Sequence, residues 1–142
     1  MKQGLTIGDR HSLTYRVPHN KTVRHLFEDA TEFADFPEVF ATGFMVALME
    51  RTCTQALAPF LEDGEGSLGV HIDVSHEAPT PPGFSIEVNV ELASIDGRML
   101  EWSVIASDDV EIIGRGRHKR ALIDRLRFEE RLAKKCRKLP KE

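Results

Sequence analysis

Cysteine, tryptophan and tyrosine are scarce in this chain: 142 residues hold two, one and one of them. Cys53 lies in an apolar stretch and Cys136 far away in a basic tail, so neither a disulfide framework nor a zinc-ligand spacing can be drawn. Positive charge is also short. Nineteen Lys and Arg face 23 Asp and Glu, for a net charge of −4. A chain of that sign has no overall field to attract nucleic acid. No run approaches the ~18 apolar residues of a membrane span. The opening Met1-Lys2-Gln3-Gly4-Leu5-Thr6 also lacks the apolar stretch of a secretion signal. These absences predict a cytoplasmic protein with no metal, no membrane and no nucleic acid among its partners.

What is present is ordinary globular material, 41% hydrophobic and 30% charged. A chain of this length is expected to form a single domain, 1–142, burying roughly 68–70% of its unfolded surface. Leu13, Tyr15 and Val17 alternate in a first strand, His11–Val17. Thr22–Phe40 is broken by Pro37 and holds Phe27, Phe33, Phe36 and Phe40, four of the eight phenylalanines, in short turns or a flap. Thr42 is an expected N-cap for a helix running from Gly43 to about Leu61, with Met45, Leu48, Met49, Cys53, Ala56, Leu57 and Phe60 on one apolar face. Four strands are predicted to follow as an antiparallel meander: Leu68–Ala78, Ile86–Leu92, Met99–Ser107 and Val110–Asp124. Asp96-Gly97 marks a hairpin turn. A charged helix or tail, 125–142, closes the chain. One strand, one apolar helix and four strands make an α+β domain whose order matches the hot-dog fold, a curved antiparallel sheet wrapped around one central helix. Proteins of that fold commonly dimerise, with sites between subunits; that step is analogy.

Three polar groups interrupt the apolar pattern. Leu68, Val70, Ile72 and Val74 alternate with Gly69, His71 and Asp73, and the apolar row runs on into His76, which is expected to point inward. Glu50 ends the apolar run Phe44-Met45-Val46-Ala47-Leu48-Met49, where it could meet His76 in one buried place. Thr42 sits where free N–H groups and the helix macrodipole favour a developing negative charge. Hydroxyl, carboxylate and imidazole together are the inventory of acyl transfer or hydrolysis. The plain alternatives are a cap, a solvated Glu and a core histidine. His71 and Asp73 point the other way, which argues against a metal site. In the basic string Arg115, Arg117, His118, Lys119 and Arg120, the reading is a solvated strand edge or a phosphate contact, with His118 and Arg120 on one face.

Several stretches carry a resemblance: the run from Phe33 through Phe36-Pro37, Thr42-Gly43-Phe44-Met45 to Glu50; Gly64-Glu65-Gly66-Ser67-Leu68-Gly69; His76 followed by Thr80-Pro81-Pro82-Gly83; and Lys21-Thr22-Val23-Arg24-His25-Leu26. From about residue 4 to 125 the chain resembles the fluoroacetyl-CoA thioesterase family. The resemblance implies a homodimeric hot-dog hydrolase that cleaves a small acyl-CoA without metal or separate cofactor, coenzyme A being part of the substrate. It implies Thr42, Glu50 and His76 as the catalytic set, with Gly69 by the thioester. It also implies Phe33 and Phe36 in a hydrophobic lid and Arg120 near the site. Arg51, Thr52, His71 and Asp73 depart from the pattern. Direct water attack, a transient acyl-enzyme and removal of an α-proton by His76 are all open routes. A general short-chain acyl-CoA thioesterase and a non-catalytic module that binds acyl-CoA are the alternatives.

Overall fold

The computed structural model describes residues 1–141. Its elements, in chain order, are β1 (Arg10–Arg16), α1 (Thr42–Leu57), β2 (Glu65–Val74), β3 (Ser85–Asp96), β4 (Met99–Ser107), β5 (Ile112–Asp124) and α2 (Arg125–Arg137). All pairings are antiparallel, and short loops require this of β3–β4 and β4–β5. The strand order β1-β3-β4-β5-β2 corrects the expected four-strand meander: only β3, β4 and β5 follow one another. β2 lies beyond β5 at the far edge, because the Pro-rich link from Val74 to Ser85 is too long for a hairpin and carries the chain across the sheet. Buried Thr80 anchors that link: its hydroxyl donates to Asp108 Oδ2 at 2.9 Å, and its carbonyl accepts the Phe40 N–H at 2.7 Å. The β3–β4 hairpin turns on Gly97-Arg98, with Gly97 at φ 58°, a left-handed first position that favours glycine.

α1 is held because Met45, Leu48, Met49, Thr52, Cys53 and Leu57 repeat at three- and four-residue intervals and are all buried. Each large apolar side chain so buried contributes about 1.5–3 kcal/mol of transfer free energy. They pack on Ile86, Val88, Val90 and Leu92 of β3 and on Leu100, Trp102 and Val104 of β4, within one core cluster. The α-helix ends at Leu57, before the expected Leu61, and passes into a tighter 3-10 turn, Ala58–Phe60. Pro59 has no N–H to continue the α-helical ladder. α2 buries no side chain and is capped by Asp124, whose carboxylate accepts the Arg127 N–H.

The alternation across β2 is not continuous. Gly69 pairs with Arg120 and His71 with Lys119, leaving Val70 as a bulge. The extra residue shifts the phase, so Ser67 and Gly69 share the helix-facing side with Ile72 and Val74, while Leu68 turns outward with 37% of its surface exposed. The expected single apolar row from Leu68 to Val74 is corrected by that bulge.

Candidate active site

Thr42 does not cap α1. Ala41 holds the cap position with extended backbone, and its carbonyl accepts the Met45 N–H at 2.9 Å, making Thr42 the first helical residue. The threonine hydroxyl is instead 2.6 Å from His76 Nδ1. His76 lies just past β2, its neighbours tied to β5 by Ser75 N–H to Arg115 O at 2.9 Å and Glu77 N–H to Ile113 O at 2.6 Å. The side chain is thereby turned inward, as the sequence pattern suggests. His76 Nε2 is buried without a hydrogen-bond partner among the described residues. A buried polar atom left so is uncommon and asks for a ligand. Burial pulls the imidazole below its ordinary range against a smaller opposing effect of the Ala78 backbone, and the net shift favours the neutral ring, able to accept a proton. On the outer side a two-pronged Arg115–Glu77 pair holds the segment and draws the Glu77 carboxyl down to about 2.

A cavity of about 330 Å³ opens over this pair, lined by Val23, Phe36, Val39, Phe40, Thr42 and His76 among others. The segment above it is pinned at its base by a Thr22–Phe40 bridge and by Arg24 Nε donating to the Phe36 carbonyl at 2.9 Å. Phe36 faces the cavity. Phe33 does not line it, but stands edge-on against Phe36 at 5.8 Å between ring centres and backs onto Phe27 at 6.2 Å.

Glu50 does not meet His76 within the chain. Thr42, Val46 and Glu50 lie four residues apart on one stripe of α1, so Glu50 sits about 12 Å along the axis from Thr42. Its carboxylate is 41% exposed and 3.5 Å from Arg120 Nη1. Arg120, expected near the site, is 6% exposed. Its Nε donates to Ser67 Oγ at 2.9 Å and its Nη2 to the Ser67 carbonyl at 3.2 Å. The bulge brings Gly69 against this group so closely that an added Cβ would strike Glu50 Oε1. A second cavity of about 340 Å³ is lined by Val46, Glu50, Gly69, Val70, Ile72 and His118. The two cavities share no lining residue: one opens at Thr42 and the other at Glu50, about two helical turns apart on that stripe of α1.

Sequence reasoning misses Ser67 and the burial of His118. The available signal is the face shared by His118 and Arg120, which is a buried face and not a solvated edge. Cys53 packs as expected: it is fully buried, and burial pushes its thiol up to about 12, which removes it as a nucleophile. Among the described residues no group of three or more His, Cys, Asp or Glu is placed to hold a metal.

A curled sheet around one helix, with a hydroxyl, an imidazole and a carboxylate along its open side, is the hot-dog architecture of the thioesterase superfamily. A superfamily member from Thermus thermophilus overlays at a TM-score of 0.84 with 25% identity, over 95% of this chain and 98% of that one. The match narrows further. The profile of the family described as fluoroacetyl-CoA-specific thioesterase fits residues 18–126. The fluoroacetyl-CoA thioesterase of Streptantibioticus cattleyicolor is 53% identical over 135 residues, 95% of this chain and 97% of that protein. A solved structure of a fluoroacetyl-CoA thioesterase overlays at a TM-score of 0.92 with 51% identity, covering 97% of this chain and 100% of the other. The chain belongs to the fluoroacetyl-CoA-specific thioesterase family.

Proposed function

We propose that this protein hydrolyses a small acyl-CoA, fluoroacetyl-CoA first among them, to the free acid and coenzyme A, with Thr42, Glu50 and His76 as its catalytic set. The observation that carries the reading is the Thr42–His76 hydrogen bond with its orphaned Nε2, in a chain of this family. His76 takes the proton of the attacking oxygen as the new C–O bond forms. The tetrahedral intermediate then breaks its C–S bond, and the coenzyme A thiolate takes that proton from His76. Glu50 orients the attacking water and offsets the charge of the transient imidazolium. Phe36, backed by Phe33, keeps bulk water from the acyl group, and the bulged strand at Gly69 lies by the thioester. Arg120 fixes Glu50. Coenzyme A enters as part of the substrate, and the chemistry calls for no metal or further cofactor.

The working unit in this reading is a homodimer of single-domain chains in the cytoplasm; no helix among the described residues is long and apolar enough to cross a membrane. β2 is an edge strand with Leu68, Val70 and Ile72 exposed at 37%, 51% and 41%. An apolar edge of that kind invites pairing. Two copies meeting antiparallel along β2 cover it and set the Thr42 cavity of one copy against the Glu50 cavity of the other, closing the gap of about 12 Å. Light scattering is expected to give twice the 16.0 kDa chain mass.

The test is thiol release from fluoroacetyl-, acetyl-, propionyl- and an aromatic acyl-CoA. Turnover with kcat/KM for fluoroacetyl-CoA at least about tenfold above acetyl-CoA is expected, a difference worth about 1.4 kcal/mol. Equal values would remove the fluorine preference and leave a short-chain thioesterase. No thiol from any of the four would overturn hydrolysis and leave an acyl-CoA-binding module.

A further inference from the structure

His118 is buried to 1% exposure on β5, beside the cavity at Glu50, and has no part in the mechanism above. Its hydrogen bonds fix its chemical form. Nδ1 lies 2.8 Å from the His71 carbonyl oxygen, which can only accept, so Nδ1 carries the proton. Nε2 lies 3.2 Å from Arg120 Nη1, which can only donate, so Nε2 presents its lone pair. One neutral tautomer satisfies both contacts. The same Arg120 nitrogen is 3.5 Å from Glu50 Oε1, and the His118 ring itself is 3.9 Å from that oxygen. With the two bonds to Ser67, the guanidinium is held by Ser67 and His118, and the nitrogen that meets His118 also reaches Glu50.

We propose that His118 is a positioning residue whose Nε2 lone pair seats Arg120, so that Arg120 in turn fixes the Glu50 carboxylate beside Gly69. The proposal rests on the role assigned to Glu50 above. A protonated His118 could not do this work, since a second cation would then stand against the guanidinium. The groups that face it favour the neutral ring on balance. Burial and the charges of Arg120 on β5 and His71 on β2 lower its affinity for a proton; the His71 carbonyl and Glu50 on α1 oppose them, and the net shift is downward. Gly69 closes the last side, its missing side chain leaving room for the ring edge.

Two variants separate this role from mere packing. His118→Asn keeps a donor for the His71 carbonyl and has nothing that reaches Arg120; His118→Gln returns an acceptor oxygen toward Arg120. His118→Asn is expected to lower kcat for thiol release about 10- to 100-fold, because a misplaced catalytic group costs up to that much. His118→Gln is expected to recover most of it. Placed in an Arg120→Ala background, His118→Asn should add less than about a twofold further loss, since both changes remove one unit. Multiplicative losses in the two backgrounds, or a His118→Asn enzyme within about twofold of the parent, overturn the proposal. Nitrogen NMR of the parent protein gives a readout independent of activity and of variant folding. It is expected to show His118 as the neutral Nδ1–H tautomer at pH 7. The opposite tautomer or an imidazolium overturns the proposal even if the protein hydrolyses no thioester, whereas absent thiol release alone overturns the assigned function.

Discussion

At the Thr42 end of the α1 stripe a hydroxyl and an imidazole share one hydrogen bond, and the second ring nitrogen is buried with no hydrogen-bond partner among the described residues. At the Glu50 end, about two helical turns away, Arg120 is engaged with Ser67, His118 and Glu50 together. One end keeps a free valence and the other spends nearly all of its own. The contrast separates two tasks. A group that moves a proton must be able to change partners during the reaction, whereas a group that holds a charge in place works best with its partners already fixed. The exposed surfaces agree. Phe36 lines the cavity at the first end, and among the described residues no phenylalanine lines the cavity at the second.

The largest test of that contrast is His76→Ala. It should lower thiol release about 10²- to 10⁴-fold, the usual weight of a positioned proton carrier. Of the two ring nitrogens it removes, only Nδ1 has a partner among the described residues, the Thr42 hydroxyl. One such bond is worth about 0.5–1.5 kcal/mol, so the melting temperature should fall by only a few degrees, and a large drop in thermal stability would mean His76 is a structural element. Gly69→Ala probes the crowded end and should do the reverse in proportion. Its Cβ meets Glu50 Oε1 and the His118 ring, so a stability loss of about 1–3 kcal/mol is expected in chemical denaturation, together with a smaller fall in kcat. Parental stability in the Gly69→Ala variant would show that Glu50 is free to move aside. The smallest effect is that of pH on stability. Burial lowers the proton affinity of both His76 and His118 in the fold. The unfolded chain therefore binds protons more readily below the ordinary histidine value of 6.5, and stability should decline as the pH falls through 6.5 toward the folded values. With both residues changed to Asn that part of the decline should disappear, and a decline of the same size in the double variant would assign it to other groups.

Most elements are legible in the residues because each has its own period. The three- and four-residue rhythm from Met45 to Leu57 makes the helix, and strict alternation from Ile86 to Leu92 makes its strand. Thr42, Glu50 and His76 stand out by breaking those rhythms. The partner of Glu50 is hidden for a different reason. A bulge at Val70 changes which residues of β2 face the helix, and no local preference in Leu68-Gly69-Val70-His71 announces it. The edge position of β2 is equally hidden, since strand order is set by long-range pairing and not by composition. His118 reads as part of a basic edge because Arg115, Arg117, Lys119 and Arg120 around it all carry charge, while burial of a strand face depends on what the sheet wraps.

The location of β2 also bears on how the chain reaches this structure. Strands β3, β4 and β5 join one another through short turns. β1 must find β3 across a separation of 81 residues, and Ser67 must find Arg120 across 53. Closing loops of that length costs chain entropy before any contact repays it, which slows folding. The strand that brings Gly69 to Glu50, and that leads the chain to His76, is thus one of the two whose docking depends on distant pairing. A substitution that weakens the β2–β5 seam is expected to act twice, delaying folding and leaving both cavities unassembled while it waits.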